Sequence, residues 1–153
     1  MTDRKAELIV CERTGRWATA LRRELGNRPI RVHETRSLTE CWHLLAENPA
    51  GFAVVELADR VLDELLGRMS RLETDFPFVR VAVVADRALA DYERLIREAG
   101  AVHFTCSPRL LRPLAELAAR HLDQVPEPDR SPAETIWSTL PWKAQASMQD
   151  RIE

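Results

Sequence analysis

Residues 51–59 read GFAVVELAD. From Phe52 to Val55 the run is apolar without alternation, the pattern of a strand covered on both faces rather than one. It then stops on a carboxylate, Glu56. An acid ends such a strand only where the strand end meets solvent or a site, so what Glu56 faces becomes the question for the rest of the chain.

Working outward, residues 6–11 (AELIVC), 78–85 (FVRVAVVA) and 101–106 (AVHFTC) are further apolar runs, and 29–34 (PIRVHE) is a weaker, alternating one. Helical spacing fills the gaps. Trp17, Leu21 and Leu25 lie four apart, with Gly26 as the stop. SLTE at 37–40 is a capping-box pattern that opens a second helix. Leu62, Leu65, Leu66, Met69 and Leu72 mark the buried stripe of a third. Leu89, Tyr92, Leu95, Ile96 and Ala99 do so for a fourth, which Gly100 ends. The fifth opens at SPRLL, with Ser107 as cap, Pro108 in the first helical position and Pro113 still in the opening turns.

Five βα units with right-handed crossovers predict an α/β fold: a doubly wound, five-stranded parallel sheet of flavodoxin-like order 2-1-3-4-5. In that order ligands gather at the carboxyl ends of strands 1 and 3. Glu56 therefore stands beside Cys11 and Glu12, with Glu34 and Asp86 at the ends of strands 2 and 4.

The 153 residues carry a net charge of -2 with acids and bases interspersed, so no basic stripe marks a nucleic-acid partner. No apolar stretch approaches the roughly 20 residues that cross a bilayer, and the amino terminus has too short an apolar run for a secretory signal. The expected location is cytoplasmic, with no membrane partner. Cys11, Cys41 and Cys106 have neither zinc nor disulfide-framework spacing and are expected as reduced thiols. Composition changes at Pro126, giving a domain over 1–125 and, over 126–153, a Pro-rich linker and a short helical tail. In the tail Ile136, Trp137, Leu140 and Trp142 form an apolar cluster suited either to packing back on its own domain or to an interface with another chain.

Over about residues 6–125 the chain resembles the receiver domain of bacterial response regulators. EAGAVHFTCSP at 98–108 resembles the family's stretch from helix 4 through strand 5, with Gly100, Ala101, Phe104 and Pro108 in register. NPAGFAVVEL and LTECWHLLAENP resemble the approach to the phosphorylated aspartate and the second helix. The resemblance implies an acidic pair at Cys11 and Glu12, a nucleophile at Glu56, a hydroxyl at Ala85 and a lysine at Ser107. One acid survives there, lengthened, and the other four positions differ in type. Glu56 carries its carboxylate one C–C bond, roughly 1.5 Å, further out than aspartate. No lysine neutralises a phosphoryl group and no hydroxyl follows one.

The expectation is a non-catalytic pseudo-receiver: a protein-interaction module of two-component signalling or a phosphorelay, not phosphorylated at the usual strand-3 position. Its partner would be another chain or a second copy, met through the family's helix 4–strand 5–helix 5 face or through the tail. Phe104 and Tyr92 are the switch or interface candidates by resemblance. Glu56 itself admits three readings: a solvated rim carboxylate, a fixed stand-in for phospho-aspartate, or, with Glu12, a ligand of Mg²⁺ or Ca²⁺. The last supports the alternative, a metal- or small-ligand-binding protein or enzyme using the switch-point carboxylates; otherwise no cofactor is expected. Cys11 as a nucleophile with His33 as base is a further option, while His43, His103 and His121 are scattered.

Overall fold

The computed structural model describes residues 6–124. The boundary at 125 and the linker and aromatic cluster beyond it lie outside the described residues. Strands β1 (Ala6–Cys11), β2 (Ile30–Thr35), β3 (Phe52–Leu57), β4 (Arg80–Ala85) and β5 (His103–Thr105) form one parallel sheet in the order β2-β1-β3-β4-β5, the expected topology. Helices α1 (Arg16–Leu25) and α6 (Arg112–Gln124) pack on one face. On the other lie α2 (Leu38–Glu47), α3 (Leu62–Ser70), the single turn α4 (Leu72–Asp75) and α5 (Glu93–Glu98).

The period of two along each strand sorts the core. Leu8, Val10, Phe52, Val54, Ala82 and Val84 face α1 and α6. Ile9, Ala53, Val55, Leu57, Val81 and Ala85 face the opposite helices. Phe52 to Val55 are fully buried, as an unalternating run requires. Continuing the count, Glu56 shares the parity of Phe52 and Val54 and so belongs to the α1 side. Glu12, one residue past β1, shares the parity of Leu8 and Val10. Both carboxylates are thereby aimed at the same helix.

Element ends differ from expectation for local reasons. β4 begins at Arg80 because Phe76 to Val79 form a turn, closed by the Val79 N–H to the Phe76 carbonyl at 3.1 Å, with Pro77 in the corner. Phe78 is left 68% exposed. The fourth predicted helix splits into a 3₁₀ turn (Arg87–Tyr92) and the six-residue α5, which fully buries only Ile96. Tyr92 and Leu89 pack against the core from the turn. Ser37 caps α2 as its pattern predicts, accepting the Glu40 N–H at 3.1 Å. Ser107 does not cap by its side chain: Pro108–Leu110 is a 3₁₀ turn, and α6 starts only at Arg112. Pro113, second in α6, forfeits no intrahelical bond. Among the described residues no helix is long and apolar enough to cross a membrane.

At the far end of the sheet, His121 of α6 tilts against Phe52, ring centroids 5.8 Å apart, and its Nε2–H donates to the Ala50 carbonyl at 3.1 Å. Burial holds the imidazole below its ordinary pKa of 6.5, and the Ala50 bond opposes this only in part. His103 is lowered for the same first cause. A depressed folded pKa means that the unfolded chain binds more protons, so stability is full above about pH 6.5 and is lost as pH falls through that value. Urea unfolding at about pH 7.5 and pH 5.5 should show a lower midpoint at the acidic pH. His121→Gln should shrink that difference; an unchanged difference would assign it to other groups.

Candidate functional site

The carboxyl ends of β1 and β3 meet as expected, with Cys11 opposite Val55 in register and Glu56 opposite Val84 of β4. Glu12 is a buried acid, 2% exposed. Its partners come from α1. Gly15, at φ 88°, turns the chain so that the first free amides of the helix point back at β1. Glu12 Oε1 accepts the Trp17 N–H at 3.0 Å and Oε2 accepts the Ala18 N–H at 2.6 Å. These are the second and third residues of the helix, the amides that an N-cap side chain would ordinarily take. The helix dipole further favours the anion. Gly15 has no side chain to cap with, so Glu12 caps α1 from outside the helix.

Glu56 is held from the same helix. Its Oε2 accepts the indole Nε1–H of Trp17 at 2.9 Å, and Oε1 takes a longer bond, 3.4 Å, from the Arg13 backbone N–H. Its side chain is 15% exposed, so it is no freely solvated rim acid. Arg16 supplies the cation. Its guanidinium lies 3.9 Å from Glu56 Oε2, pairs with Asp86 just past β4, and sits 5.1 Å from the centroid of the Trp17 ring. The Asp86 bond first, and with it the charges of Asp86, Glu56 and Glu12, raise the Arg16 pKa further against the effect of burial.

The remaining candidates separate. Glu34 is held by Arg22 at 2.9 Å and Arg36 at 3.5 Å, chiefly the Arg22 bond lowering its pKa, so it does not join Glu12 and Glu56. Cys11 points to the opposite face, into the core with Cys41, while His33 pairs in register with Ile9 rather than Cys11. A thiol hydrogen bond from Cys41 lowers the Cys11 pKa despite burial; the same bond and burial raise that of Cys41. Ala85 is fully buried, Phe104 is 5% exposed within the core, and Ser107 is partly buried, its N–H donating to Thr105 Oγ1 at 3.3 Å.

Two residues that matter here were missed. Trp17 reads as one member of an apolar stripe, but a buried indole N–H needs an acceptor, which here is the Glu56 carboxylate. Arg16 carries no pattern of its own, since a lone arginine in a first helical turn reads as surface.

The comparisons with known proteins agree with this architecture. The chain is similar to a response regulator from Thermotoga maritima (TM-score 0.64, 20% identity, covering 78% of this chain and 99% of that one). It is also similar to an orphan response regulator of H. pylori (TM-score 0.61, 17% identity, 76% and 96%). A third similar structure is a CheY-like protein, TadZ, from Pseudomonas aeruginosa (TM-score 0.60, 19% identity, 81% and 98%). The fold is the flavodoxin-like receiver fold. No family model matches the chain, and no curated protein matches it in sequence.

A receiver fold implies a divalent cation at the ends of β1 and β3, and the donor set here does not fit one. Both Glu12 oxygens are taken by amides, Glu56 is bonded to an indole, and a guanidinium already stands beside it. Among the described residues no three His, Cys, Asp or Glu side chains converge on a common point.

Glu12→Ala should therefore cost about 1.5–3 kcal/mol in urea unfolding, since two charge-assisted bonds to a buried helix end are lost. Glu12→Gln, which keeps one acceptor, should cost less. Equal stability of wild type and Glu12→Ala would mean that the carboxylate does not hold α1.

Proposed function

We propose that this chain is a pseudo-receiver: a protein-interaction module of bacterial signal transduction that works by contact and takes no phosphoryl group at Glu56. The observation that carries the reading is the Arg16 guanidinium between Glu56 and Asp86. Where a phosphorylated site needs a vacant, magnesium-bound acidic pair, this chain neutralises its acids with its own arginine, indole and amides. In-line attack depends on positioning and on charge neutralisation at the phosphoryl oxygens. Glu56 is tethered toward Trp17, Ala85 offers no hydroxyl, and Ser107 no cation.

The same tethering weighs against Glu56 acting as a stand-in for phospho-aspartate. It has a single charge, already engaged within the domain, where a phosphoryl group brings about -1.5 to -2. The fixed network favours one standing conformation, presented to a partner without a switch. Phe104 and Tyr92 then serve packing. The likeness to response regulator and CheY-like structures supports a signalling role.

The docking face we favour is α5, β5 and the turn before α6, where Leu95 is 43% and Leu110 66% exposed beside the edge strand. The partner is another protein chain or a second copy, with Ile136, Trp137, Leu140 and Trp142 as an added contact.

Incubation with Mg²⁺ and acetyl phosphate followed by intact-mass measurement should give no phosphoryl adduct. A stoichiometric adduct that disappears in Glu56→Ala would defeat the reading. Leu95→Asp with Leu110→Asp should abolish partner capture or self-association while leaving the melting temperature nearly unchanged; retained association would move the interface elsewhere.

A further inference from the structure

Two of the chain's three cysteines lie side by side. Cys11 ends β1 and faces the α2 layer, and Cys41 sits in the first turn of α2, on its buried side with Leu38 and Leu45. The Cys41 thiol hydrogen-bonds the Cys11 sulfur, and the Thr35 hydroxyl is a partner of both. Thr35 stands opposite Cys11 in the β1–β2 register and is itself buried, 4% exposed. Two sulfurs and a hydroxyl therefore meet inside the core, and the contacts that hold Glu12 and Glu56 use none of them. Cys106 follows β5, with β3 and β4 between it and β1.

The two thiols differ in access. Cys41 is fully buried, whereas Cys11 is 6% exposed and lines a cavity of about 40 Å³ among the loops that follow β1, β2 and β3. That volume admits a molecule little larger than water and shuts out a bulky disulfide such as oxidised glutathione. Glu12 and Glu56 border the cavity as well, which disfavours an anion and leaves a neutral entrant. Ionisation follows the same asymmetry. The bond from Cys41, helped by Thr35, holds the Cys11 thiol below its ordinary pKa against burial and the charges of Glu40 and Glu56. That same bond, together with burial, pushes Cys41 up. The sulfur that can be reached is also the better nucleophile.

We propose that Cys11 and Cys41 are a peroxide-responsive pair, in which a small hydroperoxide oxidises Cys11 and Cys41 then closes an intramolecular disulfide. In the first step the Cys11 sulfur attacks one peroxide oxygen and the O–O bond breaks. Water or an alcohol leaves with the thiol proton, and Cys11 becomes a sulfenic acid. In the second the Cys41 sulfur attacks Cys11, the S–O bond breaks, and water leaves with the Cys41 proton. Two thiols and one hydroperoxide thus give a disulfide, a water and an alcohol (a second water from hydrogen peroxide), the two electrons passing from sulfur to the peroxide bond. Sulfurs already in hydrogen-bonding contact have only to close to about 2.0 Å. The new bond joins the end of β1 to the first turn of α2, beside the bond from Arg36 to the Glu12 carbonyl at 3.1 Å. Oxidation therefore acts on the segment that carries Glu12. This goes beyond the interaction role proposed above and does not rest on it.

The test treats the full chain with a small excess of hydrogen peroxide, then unfolds it in N-ethylmaleimide for intact-mass measurement and a non-reducing tryptic map. One alkylated thiol in place of three, the loss of two hydrogens, and a crosslink between the peptides 6–13 and 37–60 are expected, all reversed by dithiothreitol. Cys41→Ala should arrest Cys11 as a sulfenic acid that dimedone captures. Cys11→Ala should leave the Cys41 thiol intact at the same dose, because the cavity reaches only Cys11. Three alkylated thiols in the treated wild type would overturn the proposal. So would a crosslink that uses Cys106 or a second copy, or unchanged loss of the Cys41 thiol in Cys11→Ala. Oxidised glutathione at the same dose should leave the pair reduced, and crosslinking as fast as with peroxide would likewise count against it. The wild-type map decides the question even if a variant fails to fold.

Discussion

Charge at the end of a buried parallel strand has to be compensated from within the protein. β3 is apolar and fully buried from Phe52 to Val55, and the next side chain on its α1 face is a carboxylate. Moving an unpaired carboxylate out of water costs several kcal/mol, so partners are obligatory rather than decorative. One helix provides them. The first turn of α1 gives backbone amides to Glu12, an indole N–H to Glu56 and a guanidinium to Glu56 and Asp86. α1 is thereby fixed at its amino end by charge and along its length by Trp17, Leu21 and Leu25 in the core. The same contacts occupy the carboxyl ends of β1 and β3.

This arrangement also explains how four altered positions can coexist. On the reading proposed above, Arg16 stands as the cation that Ser107 does not supply, and a hydroxyl at Ala85 would have no phosphoryl group to meet. Ala85 instead completes the apolar layer under α5. Cys11 faces the core, where a thiol hydrogen-bonded to Cys41 is cheaper to bury than a carboxylate. The substitutions are mutually consistent.

The sheet was legible because its signals are local and strong. The β3 run, the Trp17–Leu21–Leu25 stripe and the SLTE cap each have one reading, and right-handed crossovers order the strands. The meeting of Glu12 and Glu56 followed from that order alone. Their partners were less legible. Counting by two from Phe52 puts Glu56 on the face that α1 covers, a step available from sequence, and it points to Trp17. Arg16 was beyond reach, since its role depends on the side-chain path across Trp17 to Asp86 and not on spacing. Glu34 left the central acids because Arg22 and Arg36 hold it, whereas Asp86 stays linked to Glu56 through Arg16. Element ends such as Phe78 and Ser107 were set by turns whose closing bonds leave little trace in an apolar pattern.

The most direct test of the central contact is the indole N–H resonance of Trp17. If Glu56 accepts that proton, the resonance should lie downfield of those of the chain's other tryptophans, exchange slowly with solvent, and move upfield in Glu56→Gln. A Trp17 indole that exchanges freely and keeps the same shift in Glu56→Gln would contradict the account.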